Sequence, residues 1–125
     1  MEIPGKKFSI IARIRSFKYA FRGFIHLFRD EHNTWIHALA TIVVTIMGFA
    51  FKISSIEWIM ILAAIALVFI TELINSSIEK IVDLVQPEQN PLAGKVKDLA
   101  AAAVLVASII ALVIGLIIFG PKIFS

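Results

Sequence analysis

The chain is 125 residues long, 59% hydrophobic and 17% charged, with a formal net charge of +3 and a strongly positive mean hydropathy. Length alone fits one small soluble domain, but that apolar share is a membrane composition, and beside apolar spans the basic balance does not point to nucleic acid. There is no cysteine, which excludes a disulfide framework and a thiolate metal site.

The N-terminal stretch MEIPGKKFSIIARIRSFKYAF has charge interspersed throughout and no clean apolar h-region. It is not expected to be a secretory signal and is expected to stay on the mature protein. Over residues 7–29, Ile11, Ile14, Phe17, Phe21, Phe24 or Ile25, and Phe28 recur at three- and four-residue steps, with Arg13, Arg15, Lys18 and Arg22 between them. That pattern predicts an amphipathic helix lying on the membrane, with basic residues suited to anionic headgroups.

Three later segments are long and apolar enough to cross a bilayer: Trp35 to Phe51, Ile56 to Ile70 with an extension, and Leu99 to Phe119. KISSIEW separates the first two, with Trp58 where an interfacial aromatic belongs. QPEQNPLAGKVKD separates the second and third; Pro87 and Pro91 stop one helix and start the next, with Asn90 as N-cap and Pro91 at the first helical position. The expectation is one all-α domain over 1–125, with a surface helix in 1–33 and membrane helices over 34–52, 56–86 and 91–120. The last two form a hairpin. His26, His32 and His37 lack partners at zinc-like spacing.

Orientation follows from the distribution of Lys and Arg. Seven lie in residues 1–34, and Lys80, Lys95 and Lys97 flank the Pro-containing loop, leaving Lys52 and Lys122 for the other side. The N-terminus and the second loop are therefore expected in the cytoplasm, and the 52–57 link and the C-terminus outside.

The stretch ELINSSIEKIVD, residues 72–83, sets acids where a span ends. On one helix from 56 to 86, Glu72, Asn75, Glu79 and Asp83 fall at roughly 0, −60, −20 and +20°, a narrow stripe. Counted from Ile56, Glu72 lies roughly 24 Å along the helix and Glu79 roughly 34 Å, against a hydrocarbon core of about 30 Å. The stripe thus begins inside the inner leaflet and runs into the cytosol. One reading makes Glu79 and Asp83 solvated helix-end acids, paired with Lys80 or the N-terminal arginines. The other is functional, because intramembrane acids are costly. A row of oxygens across the interface suits a reaction between a membrane-dissolved alcohol and a water-soluble phosphate donor, in which Mg²⁺ takes oxygen ligands and a deeper carboxylate orients or deprotonates the hydroxyl. GKVKD, Gly94 to Asp98, opens the third span at the same face, with Lys to neutralise phosphate charge. Neither GxxxxGK[ST] nor GxGxxG occurs, so a kinase here is not of the P-loop kind. The residues alone reach phosphoryl or ion chemistry at the inner interface and no further.

ELINSSIEKIVD, a loop of about ten residues, then GKVKDLAAAAVL resembles the signature of the small bacterial integral-membrane lipid kinases, the prokaryotic diacylglycerol kinase and undecaprenol kinase family. The similarity covers nearly the whole chain, including EHNTWIH before the first span. It implies ATP and Mg²⁺ as cofactors, a lipid alcohol as substrate and a homotrimer in the bacterial cell membrane. By the same resemblance Glu31 and Glu79 hold the metal bound to ATP, Glu72 is the base for the lipid hydroxyl, and Asn75 helps shape that site. Lys97 contacts the phosphates, Asp83 and Asp98 belong to the nucleotide-binding part, and Tyr19 with Arg13 or Arg15 are further ATP contacts. Ala101, Asn90 and His37 depart from the Gram-negative diacylglycerol kinase pattern and look more like the undecaprenol kinase branch, as do SFKYAFRG and GLIIFGPKIF.

Two other classes stay open: a small proton or cation carrier, and a non-catalytic membrane subunit whose acids pair with a partner's cations. Against the carrier, the stripe covers only the inner end of one helix. Three spans also leave a carboxylate at the depth of Glu72 largely facing lipid, so a neighbouring chain is expected to supply a wall. Ala100 to Ala103, Ala107, Ser108, Ala111 and Gly115 suit such close packing, either between chains or within one.

Overall fold

The computed structural model describes residues 8–125; the expected surface-helix start at residue 7, and the rest of 1–7, lie outside the described residues. The chain forms α1 (Ile10–Asp30), α2 (His32–Ala50), α3 (Ser55–Val85) and α4 (Pro91–Ile123), with no strand among the described residues. The last three are long and apolar enough to span a bilayer. It is an all-α, multi-pass membrane architecture.

Local chemistry sets the helix ends. Asn90 Oδ1 accepts from the backbone N–H of Leu92 at 2.9 Å and of Ala93 at 3.2 Å, as the Asn-Pro start predicts. At the head of α3, Ser54 and Glu57 form a reciprocal capping box. The helix therefore begins at Ser55, and residues 51–54 form the link between the first two spans. Trp58 is correspondingly not part of that link: it lies in the first turn of α3, half buried. Its ring rests on the α2 backbone at Gly48, where a Cβ would stand 2.5 Å from Trp58 Cη2. Only glycine lets the ring approach so closely.

α3 and α4 run antiparallel. Lys122 Nζ meets Glu57 Oε2 at 2.9 Å at one end, and Lys97 Nζ meets Asp83 Oδ1 at 2.6 Å at the other. Ile53, Ile61, Ile118 and Phe119 form the buried apolar cluster, with Val44 and Met47 of α2 packed against it. That core sits at the end remote from the acidic stripe. Elsewhere the helices present Leu39, Ile42, Ile46, Leu62, Leu105 and Leu116 outward, as surfaces facing lipid do.

α1 is attached only near its C-terminus. Leu27 is its single buried residue, the Phe28 ring lies 5.0 Å from that of Trp35 and 6.4 Å from that of Phe69, and Trp35 Nε1 donates to the Phe28 carbonyl at 2.8 Å. Ile11, Ile14, Phe17 and Phe21 are exposed. A helix with its apolar face left open in this way suits the membrane surface.

Candidate functional site

α1 and α2 are separated by one non-helical residue, Glu31. Its backbone is extended (φ −115°, ψ 109°), and as N-cap of α2 it makes no side-chain capping bond. The side chain turns to α3 instead, where Ser76 Oγ donates to Glu31 Oε1 at 3.2 Å. Lys80 Nζ in turn donates to Ser76 Oγ at 3.0 Å and pairs with Asp30 Oδ2 at 3.1 Å. The corner between α1 and α2 is thus fastened to one face of α3.

One turn below, Glu72 is only 5% exposed. Thr34 Oγ1, itself fully buried, donates to Glu72 Oε2 at 2.9 Å, and His37 Nε2 lies 3.0 Å from Glu72 Oε1. A buried carboxylate is tolerated only when paired and hydrogen-bonded, and both of its oxygens here have a partner. This corrects the expectation that a neighbouring chain must screen Glu72, because α2 of the same chain does so. The burial of Glu72 therefore does not by itself require a second chain.

The stripe on α3 therefore does not face a single neighbour. Glu72 and Ser76 look toward α2 and the α1–α2 corner, while Asp83 looks toward Lys97 of α4. Lys80 pairs with Asp30 and not with Glu79 or Asp83, and the partner of Asp83 is Lys97, so the pairing suggested for solvated helix-end acids is overturned.

Glu79 lies two turns above Glu72 on α3, roughly 10 Å along the axis. Asn75 Nδ2 reaches Glu79 Oε1 at 3.5 Å, and Asn75 Oδ1 is buried without a hydrogen-bond partner. The Glu31 and Glu79 carboxylates come close enough to interact, and Lys97, bonded to Asp83, is within electrostatic reach of Glu79. Like charges brought together in this way, beside an unsatisfied amide oxygen, offer an oxygen-lined place for a cation. Among the described residues no cluster of three or more His, Cys, Asp or Glu forms a metal cage.

Two cavities adjoin these groups. A polar one of about 530 Å³ lies where the α3–α4 loop meets the helix ends, lined by Asp83, Gln86, Glu88, Asn90, Gly94 and Lys97. An apolar groove, also about 530 Å³, runs between α2, α3 and α4 from His37 past Val44, Ala64 and Ala111 to Phe119. Its polar end is the imidazole that touches Glu72.

The structure brings together Glu31, Glu72, Asn75 and Glu79, and sets the Asp83–Lys97 pair beside the polar cavity. It does not bring Tyr19 and Arg13 to them: both are exposed on α1, where Arg22 stacks on the Tyr19 ring at 5.8 Å and Arg13 on the Phe8 ring at 5.9 Å. Asp98 and Arg15 are likewise exposed. Sequence reasoning passed over Ser76, although at roughly +40° it falls on the Glu72 face. Nor does the sequence single out Thr34 as the partner of Glu72, and His37 stands out there only as a histidine without zinc-like partners and as a family departure. Nothing local marks either, because their importance lies in a contact with residue 72.

Residues 18–119 match the sequence profile of the family described as prokaryotic diacylglycerol kinase. The chain is 44% identical over 108 residues to the undecaprenol kinase of Bacillus subtilis (strain 168), covering 86% of this chain and 88% of that one. It is 31% identical over 107 residues to the diacylglycerol kinase of Haemophilus influenzae, covering 85% and 91%. Against the diacylglycerol kinase of Escherichia coli (strain K12) it is 28% identical over 100 residues, covering 80% and 82%.

Proposed function

Because the chain belongs to the prokaryotic diacylglycerol kinase family, and so to the lipid kinases, we propose that it transfers the γ-phosphate of ATP to the hydroxyl of a membrane lipid alcohol at the cytoplasmic face of the bacterial cell membrane, with Mg²⁺ as metal. The observation that carries this reading is the vertical order on α3. A buried, doubly hydrogen-bonded carboxylate at membrane depth, Glu72, stands below a second carboxylate, Glu79, which lies beside that of Glu31 and within electrostatic reach of Lys97 at the helix end.

The donor set fits Mg²⁺. That ion takes one or two carboxylates together with substrate phosphates and keeps several waters, and does not require an all-protein cage. Glu31 and Glu79 are the two carboxylates, and the unpartnered Asn75 Oδ1 is a third oxygen between base and metal. When bound, the ion neutralises charge on the phosphates being transferred.

Each of the chain's own residues then has a defined task. Ser76, held by Lys80, aims Glu31 at the metal position. Lys97 supplies a cation to the phosphates, and Asp83 orients its ammonium beside the polar cavity, where the nucleotide lies, with Asp98 nearby in sequence. The lipid chain lies in the apolar groove, with its hydroxyl at the His37 end. Glu72 takes the hydroxyl proton as the oxygen–phosphorus bond forms and the bond to the β-phosphate oxygen breaks, giving a lipid phosphate and ADP. Tyr19 and Arg13 reach the nucleotide only if α1 or a neighbouring protomer brings them there.

Undecaprenol is the preferred lipid, supported by the higher identity to an undecaprenol kinase and by Ala101, Asn90 and His37; diacylglycerol is the alternative. Purified protein given Mg·ATP and both lipids in competition is expected to show the higher kcat/KM for undecaprenol. A tenfold preference for diacylglycerol, about 1.4 kcal/mol in the transition state, overturns the lipid choice and leaves the kinase reading in place.

The N-terminus is cytoplasmic, as the Lys and Arg distribution indicates, and the working unit is a homotrimer, as the family resemblance implies. The small residues of α4 divide between the two packing alternatives: Ala100 and Ala107 are buried within the chain, while Ala101, Ala102 and Ala103 are exposed and free to meet another protomer. Cross-linking in mild detergent is expected to give a discrete trimer. A fully active monomer under those conditions rules the trimer out.

A further inference from the structure

Glu72 is held entirely from α2, by two side chains three residues apart on one face of that helix. Thr34 donates its hydroxyl to Oε2 at 2.9 Å, and His37 Nε2 stands 3.0 Å from Oε1. The two contacts are not equivalent. Thr34 is wholly buried and closes the carboxylate off from behind. The His37 side chain is 23% exposed and lines the polar end of the apolar groove, so it stands where a hydroxyl must arrive to reach Glu72.

An ionised carboxylate has no proton to give, so a hydrogen bond at this distance requires that Nε2 carry one. One lone pair of each Glu72 oxygen is thereby occupied, and the other is left for an incoming hydroxyl. Without these bonds the side chain would be free to change rotamer, and a near-attack arrangement tolerates little displacement.

We propose that His37 is the positioning residue of the phosphoryl-acceptor side of the site: its Nε2–H fixes the Glu72 carboxylate in the one orientation from which an oxygen faces a hydroxyl entering from the groove. Thr34 is the fixed backing for the same carboxylate. This inference rests on Glu72 being the base, and it adds a residue to which no role in the reaction has been given above.

The test uses full-length protein in detergent–lipid micelles, with turnover measured against both substrates. His37→Leu keeps bulk and removes the donor; it is expected to lower kcat by roughly 100-fold while KM for Mg·ATP stays within about twofold. His37→Gln puts an amide N–H near the position of Nε2 and is expected to recover most of that loss, whereas His37→Asn, whose amide is too short to reach, is not. Thr34→Val, close to isosteric, is expected to lower kcat with the same sparing of Mg·ATP, and serves if His37→Leu does not fold. In a Glu72→Gln background, His37→Leu is expected to have no further effect.

The outcomes separate the two ideas. If Glu72→Gln keeps wild-type turnover, the base assignment fails. If Glu72→Gln is inactive while His37→Leu, or Thr34→Val in its place, turns over like wild type, this proposal fails alone. Equal losses in the Leu, Gln and Asn variants with a parallel rise in KM for Mg·ATP mean that His37 is merely structural, which also overturns it.

Discussion

Glu72→Gln is expected to abolish phosphoryl transfer while leaving Mg·ATP binding nearly unchanged. A positioned general base contributes roughly 10²–10⁴-fold to rate, and it is needed only in the chemical step, so the loss belongs in kcat and not in nucleotide affinity. The substitution is also gentle structurally. Glutamine has the same shape, its carbonyl oxygen can accept from one of the two donors that now meet the carboxylate, and its amide can donate to the Thr34 hydroxyl, which has lone pairs to accept. The buried site therefore loses a charge and no volume. Equilibrium binding of Mg·ATP together with single-turnover kinetics separates the two quantities. Wild-type turnover in this variant would show that the base is elsewhere.

The opposite signature is expected for Glu31→Gln and Glu79→Gln. In the proposed site each removes one of two carboxylates from the same cation position, and even loss of an outer partner of a metal ligand typically costs 10–100-fold in metal affinity. A fall of at least about 100-fold in kcat/KM for Mg·ATP is the expected result, partly recovered at high Mg²⁺ concentration because binding, not chemistry, is impaired. Glu31→Gln retains an oxygen to accept the Ser76 hydroxyl, so the α1–α2 corner stays attached to α3. Titration of activity against Mg²⁺ at saturating lipid checks it; an unchanged Mg²⁺ dependence in both variants would remove these residues from the metal site.

The two sets of variants also discriminate among readings from different classes. A carrier would lose transport in both and show no ATP dependence in either. A non-catalytic subunit would show no turnover to lose. Separate effects on nucleotide binding and on chemistry, from residues about two helical turns apart on one face of α3, are what a bisubstrate kinase at an interface requires.

Much of this was legible in the linear sequence. Apolar runs of membrane length, the Asn90–Pro91 helix start, the amphipathic period of α1 and the angular alignment of Glu72, Asn75 and Glu79 are local properties, set by residue type, turn chemistry and helix period. They fixed the helices to within a few residues: the second span begins at Ser55 where Ile56 was expected, and the first helix of the bilayer begins at His32, ahead of the expected 34. The residual errors came from a capping box and from Trp58, whose place in the first turn of α3 against Gly48 depends on a partner helix.

What only the tertiary structure decided is which side chains face one another. That Thr34 and His37 cover Glu72, that Ser76 receives Glu31 across 45 positions of sequence, that Lys80 takes Asp30, and that a single chain buries the deepest acid all depend on the rotation of α2 and α3 about their own axes. In a soluble bundle the contrast between apolar and polar faces would have announced that rotation. Here the face toward lipid and the face toward a neighbouring helix are equally apolar, so hydrophobic pattern cannot distinguish them, and rotation is settled by close packing and by the few hydrogen bonds that buried polar groups must find.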